Sequence, residues 1–390
     1  MSRHHSYLNS AAQIIGQYRC EIPFSWFLKK FFSGNKKFGS KDRKLISHMC
    51  YCYFRLGKAA MNLSGEERIL MGLFLCSDES NDTLAALKLD WNEKSNLPLK
   101  EKLSITGFQL HPVFPWKEEL SEGIDHQKFC ESFFVQPDLF LRIRPGKEEI
   151  VKQKLQKAGI QFQTLADTCI SLPNASKVDE LVELDNEAVI QDLNSQNIGR
   201  FIKSAILNLQ SEISVWDCCA GSGGKSIMAF DINPNSDLIV SDNRESIIAN
   251  LKKRFIYAGI KKYRSFVTDL TKSHLPLAIN HSLFDLIICD VPCTGSGTWS
   301  RTPEQLYFFE KESISQFFSL QKKIVSNTIP RLKAGGFFLY ITCSVFKQEN
   351  EKIADFIEKK FNLQKIKQEV LKGYDQKADT MFAALFQMPL

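Results

Sequence analysis

The fold is decided by the stretch Val215-Trp216-Asp217-Cys218-Cys219-Ala220-Gly221-Ser222-Gly223-Gly224-Lys225-Ser226. It begins as a short apolar strand and continues into a turn of small residues that leads toward a helix. Small residues at this place let the backbone approach a ligand closely at a helix amino terminus. The spacing is neither Gly-x-Gly-x-x-Gly nor that of the phosphate loop, because Lys225 follows Gly221 one position too early. The turn therefore indicates a ligand site after the first strand and leaves the ligand open.

The same order of strand, turn and helix repeats from about residue 214 to the end of the chain. Apolar runs predict strands over residues 215–217, 238–241, 265–267, 286–289 and 336–342. Strands that alternate with helices predict a mostly parallel sheet covered on both faces. The fold class is therefore α/β, with a Rossmann-like sheet over residues 201–390.

Two further segments precede this sheet. Residues 1–125 have apolar residues at spacings of three and four, which predicts an all-α domain with helices over 10–18, 24–32, 42–56 and 64–75. Ser64 and Glu67 have the spacing of a capping box. The proline-rich stretch 91–116 is expected to be a connection. Residues 130–200 predict a small α+β module, with strands near 139–144, 160–163 and 169–172 and a helix over 147–158.

Composition narrows the class of protein. The chain has 390 residues, 44% of them hydrophobic and 24% charged, which is typical of a globular protein. Its apolar runs are too short for a membrane span and its start lacks an apolar signal core, so we expect a cytoplasmic protein with no membrane partner. Eleven cysteines without a Cys-x-x-Cys pair argue against a disulfide framework and a structural metal site. The absence of a heptad pattern favours a monomer.

The net charge of +6 is concentrated in one part of the helical region. Residues 29–58 contain nine basic residues and one acidic residue, Asp42, with six aromatic residues between them. A basic surface with aromatic neighbours suits a nucleic-acid backbone. A solvated helix face above an aromatic core explains the same pattern equally well, so both interpretations stay open.

Acidic residues end three successive strands. Asp242 follows the second strand about 20 residues beyond the glycine turn, where a carboxylate accepts hydrogen bonds from a ribose diol. Asp269 and Asp290 end the next two. A single acid at such a place is best explained as a helix cap. Three of them around a glycine turn favour a pocket for an adenine nucleoside without phosphate, and S-adenosylmethionine fits that description.

Two cysteines follow buried strands at the same predicted edge. Cys293 lies in the segment 289–297 and Cys343 in the segment 337–344. Either one alone is best explained as a packed core thiol. Together they suggest covalent chemistry on a pyrimidine, because a thiolate that adds to carbon 6 makes carbon 5 nucleophilic enough to accept a methyl group. Asp290 is a candidate to hydrogen-bond the base, and Lys225 to lower the thiol pKa or hold the substrate.

These motifs together resemble the Fmu/Sun family of RNA cytosine-5 methyltransferases. The similarity covers residues 130–390 and weakens over 1–125, which resemble the helical RNA-binding domain of the antitermination factor NusB. Departures from the family pattern are Gly221-Ser222 in place of Ala-Pro and residues 379–382 in place of Asp-Gly-Phe-Phe. The matching motifs are Asp217–Lys225, 290–297, 301–304, 332–344, 349–351 and 190–196.

The resemblance implies roles for individual residues. Cys343, in Thr-Cys-Ser, is implied to attack carbon 6, and Cys293 to assist product release. RNA is the implied substrate, ribosomal RNA before transfer RNA, and a non-catalytic RNA-binding assembly factor is the alternative of another class. The implied cofactor contacts are Cys219, Ala220, Gly221, Ser222, Gly223, Gly224, Lys225, Asp242, Asp269 and Asp290.

Overall fold

The computed structural model describes residues 3–209, 212–272 and 275–390. These residues form two compact units. The first contains the residues up to Glu118, Asp125–Gln136 and Thr298–Lys311, and the second contains Glu119–Ile124, Pro137–Gly297 and Glu312–Leu390. The units do not coincide with the three expected segments. Residues 298–311, from the region of the large sheet, join the helical unit, whereas the small α+β module shares one unit with that sheet.

Helices make up most of the first unit and cover the sheet of the second. The α-helices of the described residues are α1 (Arg3–Gln17), α2 (Phe24–Gly34), α3 (Ser40–Arg55), α4 (Gly65–Cys76), α5 (Asp82–Leu87), α6 (Leu89–Asn92), α7 (Leu99–Thr106), α8 (His126–Ser132), α9 (Glu148–Lys157), α10 (Leu193–Asn197), α11 (Gly199–Leu207), α12 (Gly224–Ile232), α13 (Glu245–Tyr257), α14 (Leu277–Asn280), α15 (Pro303–Phe308), α16 (Glu312–Thr328) and α17 (Glu351–Phe361).

All strands belong to the second unit and form two sheets. The strands are β1 (Leu139–Ile143), β2 (Gln163–Ala166), β3 (Cys169–Leu172), β4 (Ala188–Ile190), β5 (Ser214–Asp217), β6 (Asp237–Asp242), β7 (Tyr263–Val267), β8 (Phe284–Asp290), β9 (Leu332–Thr342), β10 (Gln364–Leu371) and β11 (Met381–Gln387). The small sheet has the order β2-β3-β1-β4, and the large sheet has the order β10-β11-β9-β8-β5-β6-β7.

The four helices predicted in the first unit are present as α1 to α4. The capping box at the start of α4 is confirmed, because Ser64 Oγ accepts from Glu67 N and Glu67 Oε2 accepts from Ser64 N. The stretch 91–116 is not only a connection, since it contains α7. That helix ends at Gly107, which takes the left-handed conformation at φ +65°.

The aromatic residues of the basic segment are mostly core residues. Phe32, Phe38, Tyr53 and Phe54 are buried. Arg55 is buried as well. It donates hydrogen bonds to the carbonyl oxygen of Phe133 and to the side chain of Gln136. The lysines of this segment lie outside the core, and six of them are exposed: Lys29, Lys30, Lys36, Lys37, Lys41 and Lys44.

The small sheet is antiparallel, and a buried ion pair fastens it to helix α12. Arg142 and Arg144, at the end of β1, both reach the carboxylate of Asp231, at 2.6 Å each. All three side chains are nearly buried. Removing one partner from such a cluster would leave an uncompensated buried charge, so loss of any of the three side chains should destabilise the contact between the small sheet and α12.

The large sheet confirms the predicted α/β fold. Strands β7, β6, β5, β8 and β9 are parallel, whereas β11 runs antiparallel to both β9 and β10. Both faces are buried: Leu286 and Ile288 of β8 pack on one core, and Ile287 and Cys289 pack on the other.

Strand β10 has no counterpart among the predicted strands. Three of its residues are charged and four are exposed, Gln364, Ile366, Lys367 and Gln368, so its sequence carries no buried apolar run. Among the described residues, no helix has the length and apolar character that crossing a lipid bilayer requires.

Candidate active site

The glycine turn after β5 is shaped by two residues with positive φ. Gly221 has φ +53° and Gly223 has φ +86°. A Cβ atom on Gly223 would lie 3.0 Å from side-chain atoms of both Leu251 and Phe255, so the turn packs closely against α13. Ala220 N donates to Ser241 O at 2.9 Å, which ties the turn to β6. Only a residue without a side chain fits position 223, as the strand-to-helix turn requires.

A cavity of about 530 Å³ opens beside this turn, at the carboxyl ends of the parallel strands. It is lined by Cys218, Cys219, Gly221, Asp242, Asn243, Arg244, Thr268, Asp269, Leu270, Thr271, Asp290, Val291, Pro292, Cys293, Leu320, Ile324 and Cys343. Seven residues singled out from the sequence are therefore in the lining. The others, Ala220, Ser222, Gly223, Gly224 and Lys225, form the turn and the first residues of α12.

Asp242 ends β6 with its carboxylate nearly buried. It accepts from Gly221 N at 3.1 Å and from Arg244 Nε at 2.9 Å. Burial acts to raise the pKa of Asp242, but the hydrogen bonds from Arg244 and Gly221 outweigh it and lower the pKa. The residue is ionised at neutral pH and ties the glycine turn to the end of β6.

Asp269 has the contacts of a turn cap and also faces the cavity. It lines the cavity and also caps its own turn, because its carboxylate accepts from Thr271 N at 3.0 Å and from Thr271 Oγ1 at 2.7 Å. The hydrogen bonds from Thr271 lower the pKa of Asp269. Thr271, Thr268 and Arg244 were not singled out from the sequence, since a threonine or an arginine after a strand has no distinctive pattern.

Lys225 and Asp290 form an ion pair at 2.6 Å across the strand ends. Burial lowers the pKa of Lys225, yet the neighbouring carboxylate of Asp290 outweighs it and the pKa is raised. Lys225 is therefore a fixed cation that holds Asp290. The lysine does not line the cavity, whereas Asp290 does.

Asp217, the last residue of β5, is a buried acid behind this pair. Its Oδ2 accepts from Ser226 Oγ at 2.6 Å, and its Oδ1 has no hydrogen-bond partner among the described residues. Burial raises the pKa of Asp217 to about 7. The sequence showed this residue only as part of a motif, because no local pattern reports that a strand-end acid is completely buried.

The two cysteines converge at the rim of the cavity. Cys293 Sγ lies 3.3 Å from Cys343 Sγ, and both side chains are partly exposed. Strand β8 delivers Cys293 through the loop after Asp290, and the adjacent parallel strand β9 delivers Cys343 just past Thr342. The neighbouring thiol of Cys343 and burial raise the pKa of Cys293 well above its usual range. Cys293 is therefore a neutral thiol that can donate its proton.

A buried polar network lies beneath both thiols. Glu349 accepts from Thr294 N at 2.9 Å and from Ser344 Oγ at 2.6 Å, so it touches the residues that follow Cys293 and Cys343. In the sequence, Glu349 stands out only as part of a motif that resembles the family's. Among the described residues, no group of three or more His, Cys, Asp or Glu side chains is arranged to hold a metal ion.

A family model and several named relatives each match part of this chain. Residues 204–387 match the family described as 16S rRNA methyltransferase RsmB/F. A relative from Coxiella burnetii, named probable ribosomal RNA small subunit methyltransferase B, is 27% identical over 273 residues. That alignment covers 67% of this chain and 62% of the relative, so the matched part spans less than two thirds of the relative's length.

Two solved structures share the fold. The crystal structure of PH0851 has a TM-score of 0.70 at 18% identity and covers 99% of both chains. The structure of NSun6 from Pyrococcus horikoshii with SFG, an analogue of S-adenosylmethionine, has a TM-score of 0.56 at 13% identity. It covers 67% of this chain and 94% of that chain. The fold shared with these structures, the residues around the cavity and the residues matched by the family model all indicate a methyltransferase. Residues 204–387 of this chain therefore match the RsmB/F family of methyltransferases, the Fmu/Sun group that the sequence resembles.

Proposed function

We propose that this protein transfers the methyl group of S-adenosylmethionine to carbon 5 of a cytidine in RNA. One observation carries the proposal: two thiols lie 3.3 Å apart at the rim of a cavity lined by three strand-end aspartates. Cytosine carbon 5 is too weak a nucleophile to take a methyl group directly, and a covalent thiol adduct at carbon 6 makes it nucleophilic enough. Ribosomal RNA is the favoured substrate, because the relative from Coxiella burnetii is named for it.

The residues of the cavity fit the cofactor. Its volume of about 530 Å³ lies within the usual range for small-molecule sites. The carboxylates of Asp242, Asp269 and Asp290 favour a cationic ligand and disfavour a pyrophosphate. We assign Asp242 to the ribose diol, which would replace the exposed Arg244 side chain as its hydrogen-bond donor. We assign the glycine turn to close backbone approach. When bound, S-adenosylmethionine supplies an electrophilic methyl group from its sulfonium.

The chemistry on the base is assigned to Cys343 and Asp290. The Cys343 thiolate adds to carbon 6, and the electron pair that this addition releases makes carbon 5 nucleophilic toward the methyl group. Asp290 accepts a hydrogen bond from the exocyclic amine of the base, held in place by Lys225 at 2.6 Å. Loss of the carbon 5 proton to a base then expels the Cys343 thiolate and restores the aromatic ring.

Cys293 is assigned to the release step. Its raised pKa keeps it protonated at neutral pH, and its sulfur is 3.3 Å from that of Cys343. A neutral thiol at this distance donates a hydrogen bond to the departing Cys343 sulfur, which stabilises the thiolate as the bond to carbon 6 breaks. The target base must leave its stack to reach both thiols.

We assign the remaining parts of the chain to RNA binding and propose a cytoplasmic location. Residues 1–125 and the small module of residues 130–200 would hold the RNA, while residues 201–390 carry out methyl transfer. All eleven cysteines are free, including a pair at 3.3 Å. The proposed chemistry needs both thiols of this pair reduced, which favours a reducing compartment such as the cytoplasm.

Label transfer tests the proposed activity. The full chain is incubated with S-adenosylmethionine labelled in its methyl group and with RNA from a strain that lacks the gene. The RNA is then digested to nucleosides. We expect the label in 5-methylcytidine. Label in another nucleoside, or RNA that binds without acquiring label, would overturn the proposal and favour the non-catalytic assembly factor.

Bisulfite sequencing separates the two RNA substrates. RNA from a strain with the gene deleted is compared with RNA from its parent. Loss of one protected cytidine in ribosomal RNA is the expected result. Loss in transfer RNA with intact ribosomal sites would replace the ribosomal assignment with the transfer RNA alternative.

A further inference from the structure

Glu349 is a buried carboxylate between the loop that holds Cys343 and the start of α17. The residue is fully buried, at 0% exposure. Its two carboxylate oxygens accept four hydrogen bonds, two each. Burial raises the pKa of Glu349, and the donors around the carboxylate oppose that effect. A fully buried carboxyl group is stable only when hydrogen-bond donors surround it, and these four donors fix the position of Glu349.

Two of the donors come from the residue after Cys293. Thr294 donates its backbone N–H at 2.9 Å and its hydroxyl at 2.6 Å. A third donor is Gln321 Nε2 at 3.1 Å, on helix α16. The same amide also donates to Pro292 O at 3.1 Å. The residues on both sides of Cys293 are therefore fixed through Glu349 and its partner Gln321.

The fourth donor comes from the residue after Cys343. Ser344 Oγ donates to Glu349 Oε1 at 2.6 Å, on the oxygen that also accepts from the Thr294 hydroxyl. The backbone of Glu349 is anchored too, since its carbonyl oxygen accepts from Tyr340 OH at 2.7 Å. Strand β9 thus fixes the backbone of Glu349, and the Glu349 carboxylate fixes the loops that contain Cys293 and Cys343.

Glu349 does not take part in the chemistry directly. It is not among the residues that line the cavity, and its carboxylate oxygens are already engaged by four donors. A group in that state has no free lone pair aimed at a substrate. Any effect on the reaction must pass through the two loops that it joins.

We propose that Glu349 is a positioning residue that fixes the distance between the Cys293 and Cys343 sulfurs by bridging Thr294 and Ser344. The inference rests on the proposed function for its catalytic meaning, but the bridge itself is measurable without methyl transfer. Two thiols at 3.3 Å need only a small approach to reach the bond length of a disulfide. The rate at which they form one therefore reports how well the loops hold them together.

The test compares oxidation rates of full-length variants. Each protein is treated with the thiol oxidant diamide, which is reduced as the disulfide forms, and the peptide pair containing Cys293 and Cys343 is followed by mass spectrometry. For Glu349→Ala we expect the rate to fall at least about tenfold, since the bridge is lost. Glu349→Gln should stay within about threefold of the unmodified protein, because its amide can still accept on one side and donate to the two hydroxyls on the other.

A matched control removes another buried carboxylate of the same unit. Glu187, at 4% exposure, pairs with Lys154 and accepts from Glu183 N, both in the small module. Glu187→Ala should leave the oxidation rate unchanged. Equal rates in folded Glu349→Ala and the unmodified protein would overturn the proposal. If Glu349→Ala fails to fold, Thr294→Val and Ser344→Ala each remove one hydrogen bond to Glu349, and each should slow oxidation by about threefold. Unchanged oxidation rates in both variants would also overturn the proposal.

Kinetics link the bridge to methyl transfer. A misplacement near 1 Å costs about 100-fold in rate, so kcat of Glu349→Ala should fall by about that factor. The KM for S-adenosylmethionine should not change, because Glu349 lies outside the cavity lining. A rise in KM with constant kcat would contradict a positioning role. If neither the unmodified protein nor any variant transfers methyl groups while the oxidation rates keep the expected order, the proposed function is wrong and the positioning role of Glu349 still holds.

Discussion

At the scale of single residues, the two thiols are chemically different although they touch. The neighbouring thiol of Cys343 and burial raise the pKa of Cys293, so Cys293 is protonated at neutral pH. A protonated Cys293 can act as a hydrogen-bond donor, which agrees with assigning the attack on carbon 6 to Cys343. Strand position alone did not distinguish them, since both follow parallel strands.

Substitution of Cys343 and substitution of Cys293 should block different steps of the reaction. Cys343→Ala should abolish methyl transfer, because the sulfur assigned to attack carbon 6 is removed. Cys293→Ala should still form the adduct and release it slowly, so a covalent protein–RNA complex should accumulate as a retarded band on a denaturing gel. Methyl transfer by Cys343→Ala, or an adduct in that variant, would reverse the roles. Cys169→Ala, a buried thiol of the small sheet, is the control.

Asp217 should give the protein a pH-dependent stability. Its pKa is raised from 3.8 to about 7 by burial, so between these values the folded state binds more protons than the unfolded chain. Its contribution to stability is therefore present at low pH and is lost as pH rises through this window, by up to about 4 kcal/mol. Asp217→Asn should remove that component, seen as a flatter Tm against pH from about 4 to 7. Parallel curves for the two proteins would contradict it.

At the scale of elements, the turn between β5 and α12 depends on a glycine for two separate reasons. Gly223 has φ +86°, and a Cβ there would meet Leu251 and Phe255 at 3.0 Å. Gly259, at the end of α13, has φ +73° but open space around its Cα. The two positions therefore separate backbone strain from crowding.

Alanine at these two glycines should destabilise the protein unequally. Gly259→Ala should cost about 1–2 kcal/mol, the usual price of a left-handed conformation for an L residue. Gly223→Ala should cost that amount plus about 1–3 kcal/mol for crowding in the packed contact with α13. Denaturant unfolding of both variants measures the difference. Equal losses would show that α13 moves away freely and that the close contact is unimportant.

Some helices and strands of this fold can be predicted from local sequence, and others cannot. The capping box at Ser64 and the strand ends at Asp242 and Asp290 follow from patterns within a few residues. The exposed strand β10 does not, because pairing with β11 rather than an apolar run holds it in the sheet. Helix α7 was also missed, since its apolar periodicity is weak and its end depends on Gly107.

At the scale of the whole molecule, charge is concentrated on one helical region. Helix α2 presents Trp26, 68% exposed, on the same side as Lys29 and Lys30, because residues three and four apart are neighbours on a helix. Both lysines are exposed. Exposed lysines attract phosphates, and an exposed aromatic ring can stack on an unpaired base. The proposed RNA-binding role of residues 1–125 therefore has a specific surface to test.

Charge reversal on this surface should weaken RNA binding. Lys29→Glu with Lys30→Glu should lower affinity and reduce the slope of log K against log salt by about 2, one for each lost phosphate contact. Trp26→Ala should weaken binding with little change in that slope, because stacking releases no counterions. Lys359→Glu with Lys360→Glu on α17, also exposed, is the control pair. Equal effects of both pairs would indicate only a general loss of charge.

The sequence by itself determined the α/β class, the glycine turn, the strand-end acids and the two cysteines, because each is encoded by neighbours along the chain. Only the tertiary structure decided that β8 and β9 lie side by side, which brings Cys293 and Cys343 to 3.3 Å. It also decided the Lys225–Asp290 pair and the placement of residues 298–311 in the helical unit. These facts depend on which distant segments pack together, and packing between distant segments leaves no periodic trace in the sequence.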